Sequence, residues 1–312
     1  MEEPFVHLPV LAGEVVDLIL PVPPGLIVDC TLGGGGHAGL LLDARPDCRL
    51  LGIDRDADAL IAARHHLARF GDRVEFVQQE FGQLRDAVDS RGEVVAVLMD
   101  LGVSSPQLDR PERGFSYRFD VPLDMRMDSR QSLTAAIVVN EYDELELASL
   151  IARYGEERFA RRVARAIVGA RPLHTTAELV EIVTNAIPAA TRRTGGHPAR
   201  RTFQAIRMEV NRELPNLAEG LDESVHLLVP GGRVLVMAYH SLEDRMVKQR
   251  MRDWSDDGSS DHRTNKLPVA PHRNPIMRLL TRKAVRPSPQ ELVDNPRSES
   301  VRLRASEKIG VA

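Results

Sequence analysis

Leu26-Ile-Val-Asp29-Cys-Thr-Leu-Gly33-Gly-Gly-Gly36-His37 decides how this chain folds. Four residues of strand character, entered from the turn Pro23-Pro-Gly25, run into four glycines and then a helical pattern, Ala38 to Ala44. Glycine lets backbone approach a ligand closely and takes positive φ where a turn needs it. Between a strand and a helix of an open α/β sheet, such a loop binds a nucleotide-like ligand at the carboxyl ends of the strands. Two registers of the loose dinucleotide fingerprint match, Gly33-x-Gly35-x-x-Ala38 and Gly34-x-Gly36-x-x-Gly39. A four-glycine run produces such matches almost automatically, so they say little about NAD. The Gly-Lys-Ser/Thr of a P-loop is absent, which argues against nucleoside triphosphate hydrolysis.

Outward from this loop the pattern repeats. Arg49 to Asp54 is a second strand, Asp56 to Phe70 a helix, Val74 to Val77 a third strand, and Val94 to Asp100 a fourth, apolar on both faces as a central parallel strand must be. Strands alternating with helices imply a parallel sheet covered on both sides. Asp54 ends the second strand, where an acid can accept both ribose hydroxyls of an adenosine, or Asp54 or Asp56 caps the next helix. After Ser105 the rhythm stops. Pro106 to Gln131 is polar and irregular, and helices follow: Asp143 to Ala170, a capping box at Thr175 and Glu178 opening a helix through Ala186, and Phe203 to Leu228, expected to kink near Pro215. Arg233 to Ala238 restores a buried strand. Asp253 to His262 reads as a loop. Met277 to Thr281 and Ser300 to Arg304 are late strands joined by the Pro-rich stretch Pro287 to Pro296. The expected organisation is one α/β domain, 1–106 and 212–312, interrupted by a mostly helical insertion, 107–211.

Length agrees: 312 residues exceed the usual single domain. At 43% hydrophobic and 28% charged residues the chain is an ordinary globular one, not a largely disordered one. Cys30 and Cys48 provide neither a disulfide framework nor zinc spacing, and a reduced, cytoplasmic setting is expected. No apolar run reaches membrane-spanning length, and Met1 to His7 lacks the basic and apolar regions of a secretory signal. His65-His66 face different directions on a helix and no His/Asp set has ligand spacing, so no metal is expected. His240-Ser241 with Asp244 lacks a nucleophile elbow, which argues against a hydrolase. Only four basic residues are lysines, a preference uniform enough to be compositional.

The formal net charge of −4 taken alone argues against a nucleic-acid partner, but the sum hides its distribution. Between Arg153 and Arg212 twelve arginines face five acids, a balance of +7. The loop Arg192-Arg193-Thr-Gly-Gly-His-Pro-Ala-Arg200-Arg201 is the densest stretch. Such a patch is the electrostatic footprint of phosphate binding, or else a solvated helical face with internal ion pairs.

The glycine loop, Asp54, Gln79-Glu-Phe81 and Asp100-Leu-Gly-Val-Ser-Ser-Pro-Gln107 together resemble a S-adenosylmethionine (SAM)-dependent methyltransferase. A longer series resembles, more specifically, the bacterial 16S rRNA (cytosine-N4)-methyltransferase family. It includes His7, Asp54-Arg-Asp56, Glu112-Arg-Gly-Phe-Ser116, Pro122-Leu-Asp-Met-Arg-Met-Asp128, Tyr154-Gly-Glu-Glu-Arg-Phe159, Arg201-Thr-Phe-Gln-Ala205, His240-Ser-Leu-Glu-Asp-Arg245 and Asn295-Pro-Arg297. The match covers nearly the whole chain in order, and departs from the family at Trp254 to Lys266, where the family has a variable loop. It implies a class I, Rossmann-like methyltransferase sheet with an inserted substrate-recognition domain. It implies that Gly35, Gly36 and His37 line the methionine part of SAM, that Asp54 takes the ribose, that Phe81 lies beside the adenine, and that Asp100 and Gln107 complete the site. It implies a cytidine of 16S rRNA in the small ribosomal subunit as substrate, with no membrane partner. The sequence leaves the oligomeric state, monomer or homodimer, open.

Physics supplies a parallel reading. Phe81 can stack on adenine or belong to the core. Asp100 can attract the cationic sulfonium and amino groups of SAM. Cytosine N4 is a poor nucleophile because its lone pair is delocalised, so in-line placement and an acceptor for the N4 proton are the expected contributions of the enzyme. Asp100 is the candidate acceptor, with Ser104 or Ser105 as alternatives. His240 is a second candidate for holding the base or relaying a proton, or else a structural histidine at a strand end. The acid- or amide-Pro-Pro-aromatic motif of DNA amino-methyltransferases is not copied after strand four. The target cytidine must be flipped or single-stranded, because N4 is inaccessible in a pair.

Overall fold

Along the first hundred residues α1 (Ala12–Ile19), β1 (Leu26–Asp29), α2 (Gly36–Ala44), β2 (Arg49–Asp54), α3 (Ala57–His66), β3 (Val74–Gln78), α4 (Leu84–Val88) and β4 (Val94–Asp100) alternate. A helical run follows: α5 (Ala135–Glu141), α6 (Glu144–Gly155), α7 (Ala160–Gly169), α8 (Thr176–Ala186), α9 (Ala189–Arg192), α10 (Arg200–Val210) and α11 (Glu213–Leu227). Then come β5 (Leu228–Ala238), α12 (Ser241–Ser255), β6 (Met277–Leu279), α13 (Pro289–Asp294) and β7 (Arg302–Lys308). This computed structural model describes residues 9–102, 110–192, 196–255 and 274–310. The chain divides into two units, Met1–Gly102 with Pro215–Ala312, and Val103–Leu214.

The first unit is built on a seven-stranded sheet of order β3-β2-β1-β4-β5-β7-β6. β1 through β5 pair in parallel, and β7 runs antiparallel between β5 and β6. β1 is buried at all four residues and β4 at all but Asp100, which is why they take the centre. Val15 and Ile19 of α1, Leu41 and Leu42 of α2 and Leu60 of α3 close over Ile27, Leu50, Leu98 and Leu235 of the sheet. Glu291 of α13 accepts from the Leu11 amide at 2.6 Å, which ties the tail to the start of α1. No helix among the described residues is long and apolar enough to cross a membrane.

The second unit packs α6 against α10 and α7, and α7 against α8. Capping boxes at Asp143/Glu146 and Thr175/Glu178 start α6 and α8. Asn211 secures the irregular segment before the helices: its Oδ1 accepts from the Met127 amide at 2.8 Å, and its Nδ2 donates to the Met125 carbonyl at 2.8 Å.

Several boundaries differ from expectation. The stretch 143–170 is two helices, because Glu156 takes the left-handed conformation at φ 48° and the Glu157 carboxylate captures the Phe159 amide at 2.8 Å. Phe203 to Leu228 is likewise two helices, broken at Arg212 (φ 47°) rather than at Pro215. Pro215 sits in the first turn of α11, where a missing N–H costs nothing. The helix begun after Asp56 stops at His66 and continues as a tighter turn, 68–73. β5 begins at Leu228, not Arg233, and its pairing jumps from Val94↔Leu228 to Ala96↔Arg233, so the Pro-Gly-Gly segment is a bulge in the strand. Part of the Pro-rich stretch forms α13, capped by Ser288. Asp253 to Ser255 end α12, and the rest of the expected loop lies outside the described residues.

Gly155 marks the closest approach in the second unit: a Cβ there would sit 2.6 Å from the Arg201 carbonyl oxygen. Gly155→Ala is therefore expected to destabilise the unit by about 1–3 kcal/mol through overpacking. Denaturant unfolding reads this directly, and an unchanged midpoint would mean that the two helices separate freely.

Candidate active site

The glycine loop owes its shape to backbone conformation. Gly35 caps α2 at φ 82°, and its amide donates to the Leu32 carbonyl at 2.8 Å. A side chain at Gly35 would meet Leu67 Cδ1 at 2.9 Å, so both conformation and space demand glycine. No side chain among the described residues caps the start of α2, a setting that favours a carboxylate or phosphate.

Three acids end neighbouring strands around this loop: Asp29 on β1, Asp54 on β2 and Asp100 on β4. Asp54 accepts from the Gly33 amide at 2.8 Å through Oδ2 and from the Asp56 amide at 2.9 Å through Oδ1. The cap of α3 is Asp56, which accepts from the Asp58 amide. Each Asp54 oxygen therefore keeps a lone pair for a further donor. Asp29 accepts from the Thr31 amide at 3.1 Å, and the Thr31 hydroxyl accepts from the Asp100 amide at 2.6 Å. Asp100 Oδ1 accepts from the Tyr239 hydroxyl at 2.8 Å. Its Oδ2 lies 3.5 Å from His37 Nδ1. His37 Nε2 is 2.8 Å from the Val10 carbonyl and must carry a hydrogen, since a carbonyl only accepts. Nδ1 is then left to face Asp100.

Burial dominates the electrostatics. It raises Asp29 to about 7, helped by Asp100 and Asp54 and opposed by the Thr31 amide. Burial also raises Asp54, against the Asp56 and Gly33 amides, and raises Asp100, against His37 and Tyr239. Tyr239 in turn is pushed up by burial and by Asp100. A carboxylate raised in the folded state contributes stability in full below its unfolded value near 4, and loses it as pH climbs through about 7. Asp29→Asn should therefore gain on the parent protein between those values, by a few kcal/mol at pH 8. Thermal unfolding without ligand from pH 4 to 8 measures the gap, and a pH-independent gap would contradict the raised carboxyl.

The other candidates divide. Both ring nitrogens of His240 face Glu243: Nδ1 accepts from its amide at 3.4 Å and Nε2 lies 3.2 Å from Oε1. The Glu243 carboxylate also accepts from the Tyr239 amide at 2.8 Å, so His240 and Glu243 together cap α12. Phe81 is half-buried and packs against Gly220 of α11. Ser104, Ser105 and Gln107 lie outside the described residues. Sequence reasoning passed over Asp29, Thr31, Tyr239 and Glu243. Asp29 and Tyr239 each end or follow a central strand, a position that could have marked them.

In the second unit the basic stretch sorts into two groups. Arg171 donates to the Val139 and Tyr142 carbonyls, and Arg207 pairs with Glu213 at 2.8 Å, so both hold the fold. Arg153, Arg158, Arg161, Arg162 and Arg165 are exposed along α6 and α7, beside Arg200 and Arg201 at the start of α10. Arg158 reaches the Thr191 hydroxyl at 3.1 Å, and Arg201 the Glu156 carbonyl at 3.1 Å. That joins the turn between α6 and α7 to α9 and to the start of α10. The Arg192 side chain and Arg193 lie outside the described residues. Tyr117 stacks on the exposed His197, with ring centroids 4.5 Å apart.

This chain is 51% identical to the ribosomal RNA small subunit methyltransferase H of Symbiobacterium thermophilum, over 98% of its own length and 97% of the relative's. It is 49% identical to the protein of that name from Thermobifida fusca, over 97% and 93%. With the Nostoc protein it shares 46%, over 99% and 95%. Residues 4–309 match one family description from end to end. With a glycine loop and three strand-end carboxylates on a mixed seven-stranded sheet, the chain belongs to the MraW methylase family and has the class I SAM-dependent methyltransferase fold.

Proposed function

We propose that the protein transfers a methyl group from SAM to the exocyclic N4 of a cytidine in the decoding region of 16S rRNA, within the small ribosomal subunit. The observation that carries this reading is the cluster Asp29, Asp54 and Asp100, three desolvated carboxyls around a glycine loop, in a chain about half identical over its full length to small-subunit rRNA methyltransferases. SAM fits that cluster because its amino and sulfonium groups are cationic, whereas the adenosine half of NAD offers no matching charge. SAM supplies a methyl group already activated on a positive sulfur. The first turn of α2, from Gly35 to His37, suits the carboxylate of the methionine part, and Asp54 keeps acceptor capacity for ribose hydroxyls. Phe81 offers a ring beside the adenine, and Gln107 follows from the family motif.

Asp100, held by the Tyr239 hydroxyl and facing His37, is assigned the N4 proton, with Ser104 as the alternative acceptor. His240 is assigned to the wall that places the base, through the α12 cap. Arg192, Arg193, Arg200 and Arg201, with the α7 arginines, are assigned to RNA phosphates. A cytoplasmic protein meeting assembled subunits, as monomer or homodimer, is the setting this reading implies.

Thermal unfolding with S-adenosylhomocysteine, and separately with NAD, tests the cofactor. Stabilisation by the first alone is expected. Stabilisation by NAD alone would place the chain among oxidoreductases.

A further inference from the structure

A second concentration of positive charge lies in the first unit, far from the glycine loop. α12, β6, the turn after β6 and β7 border a half-open cavity of about 260 Å³ lined by Lys248, Met251, Arg252, Leu279, Thr281, Arg282 and Arg304. Four of those residues are cations and none is an acid. Arg304 is committed to Asp244, its Nε 2.7 Å from Oδ1. Lys248, Arg252 and Arg282 are exposed and have no hydrogen-bond or ion-pair partner among the described residues. Lys248 and Arg252 stand four residues apart, so they project from one face of α12. Arg250 projects elsewhere and pairs with Asp222 at 3.0 Å.

Three cations around one cavity, with no acidic partner among the described residues, repel each other, a cost that an anionic occupant removes. The charge also continues beyond the cavity. From Asn274 to Arg286 there are four cations and no acid; Arg278 is paired with Glu307, while Lys283 and Arg286, next along the chain from the cavity-lining Arg282, are exposed. A single small anion would need only the cavity, whereas a row of cations fits a row of phosphates. Met251, Leu279 and the Thr281 hydroxyl complete a lining that suits a sugar edge between phosphates. β6 is the edge strand, four strand spacings from β1, or roughly 20 Å across the sheet. An RNA strand contacted here is therefore held well away from the nucleotide at the glycine loop.

We infer that the α12–β6 cavity is a second RNA-backbone site, in which Lys248, Arg252 and Arg282 clamp phosphodiesters distant from the target base. The inference rests on the reading of ribosomal RNA as substrate. The test compares the full-length protein with the variant carrying Lys248→Ala, Arg252→Ala and Arg282→Ala. Equilibrium binding to the 16S rRNA of small ribosomal subunits lacking the modification is measured across a salt series, and stabilisation by S-adenosylhomocysteine serves as the folding control. Loss of three contacts should weaken binding and reduce the slope of log K against log salt by about 2, with the control unchanged. Should the control fall, the milder pair Lys248→Gln and Arg282→Gln carries the same expectation at a slope change of about 1.4. An unchanged affinity and slope would overturn the clamp and leave the methyltransferase reading intact. RNA binding that depends on these residues without methyl transfer would do the reverse. No RNA binding by the parent protein would overturn both. Binding of polyglutamate that depends on these three residues, with RNA affinity and salt slope the same in parent and variant, would assign the cavity to an acidic polypeptide instead, and overturn the clamp.

Discussion

Asp100→Ala is expected to lower methyl transfer about a thousandfold, the scale on which a positioned proton acceptor or a charge-stabilising group acts. Asp100 joins every strand of the argument. It ends a central strand, its amide is held by Thr31, and its two oxygens meet Tyr239 and His37. Removing the carboxylate deletes the acceptor and the charge that attracts a sulfonium, so kcat should fall and the KM for SAM should rise. Tyr239→Phe removes one hydrogen bond to that carboxylate and keeps its charge. A loss of about tenfold is expected, the size of one bond to a charged group. Steady-state kinetics at several SAM concentrations separate the two. An Asp100→Ala protein with near-parental turnover would move the chemistry to another residue, and Ser104 would be examined first.

Charge reversal on the exposed face of α7 should produce the second large effect. Arg161, Arg162 and Arg165 of α7 and Arg158 just before it are exposed, while Val163, Ala164 and Ile167 of α7 are buried. Replacing the four arginines with glutamate therefore spares the buried core and gives up only the surface contacts of Arg158 with Thr191 and Phe159 and of Arg165 with Glu144. If each arginine contributes about 1 kcal/mol toward a phosphate, subunit binding should weaken about a thousandfold in total. Stabilisation by S-adenosylhomocysteine should not change. Equal affinity for subunits would mean that this face is a solvated surface, and that the phosphate contacts lie elsewhere.

Much of this was legible in the sequence, for identifiable reasons. β1 and β4 read clearly because both faces are buried, which forces continuous apolar runs. Asp54 and Asp100 read clearly because strand ends are fixed by where those runs stop. The helix breaks did not. Glu156 and Arg212 adopt left-handed conformations that neither residue type announces, and Gly155, beside the first break, abuts the Arg201 backbone. Pro215 drew attention as a helix breaker, yet it occupies a first turn that tolerates it. The arginine count from 153 to 212 could not separate Arg171 and Arg207, spent inside the unit, from the exposed row on α7. Tyr239 and Asp29 sit at strand ends that the apolar runs mark, but their contacts do not show in the sequence. Their importance comes from which groups the sheet order places beside them, and β1, β4 and β5 are neighbours in space but far apart in the chain.

The account turns on methylation at one nitrogen, and nucleoside mass spectrometry measures it. Small subunits lacking the modification are incubated with the protein and SAM, and the 16S rRNA is digested to nucleosides. The account predicts that N4-methylcytidine appears and depends on Asp100. Methyl groups found only on other atoms, or no new methylcytidine at all, would contradict it.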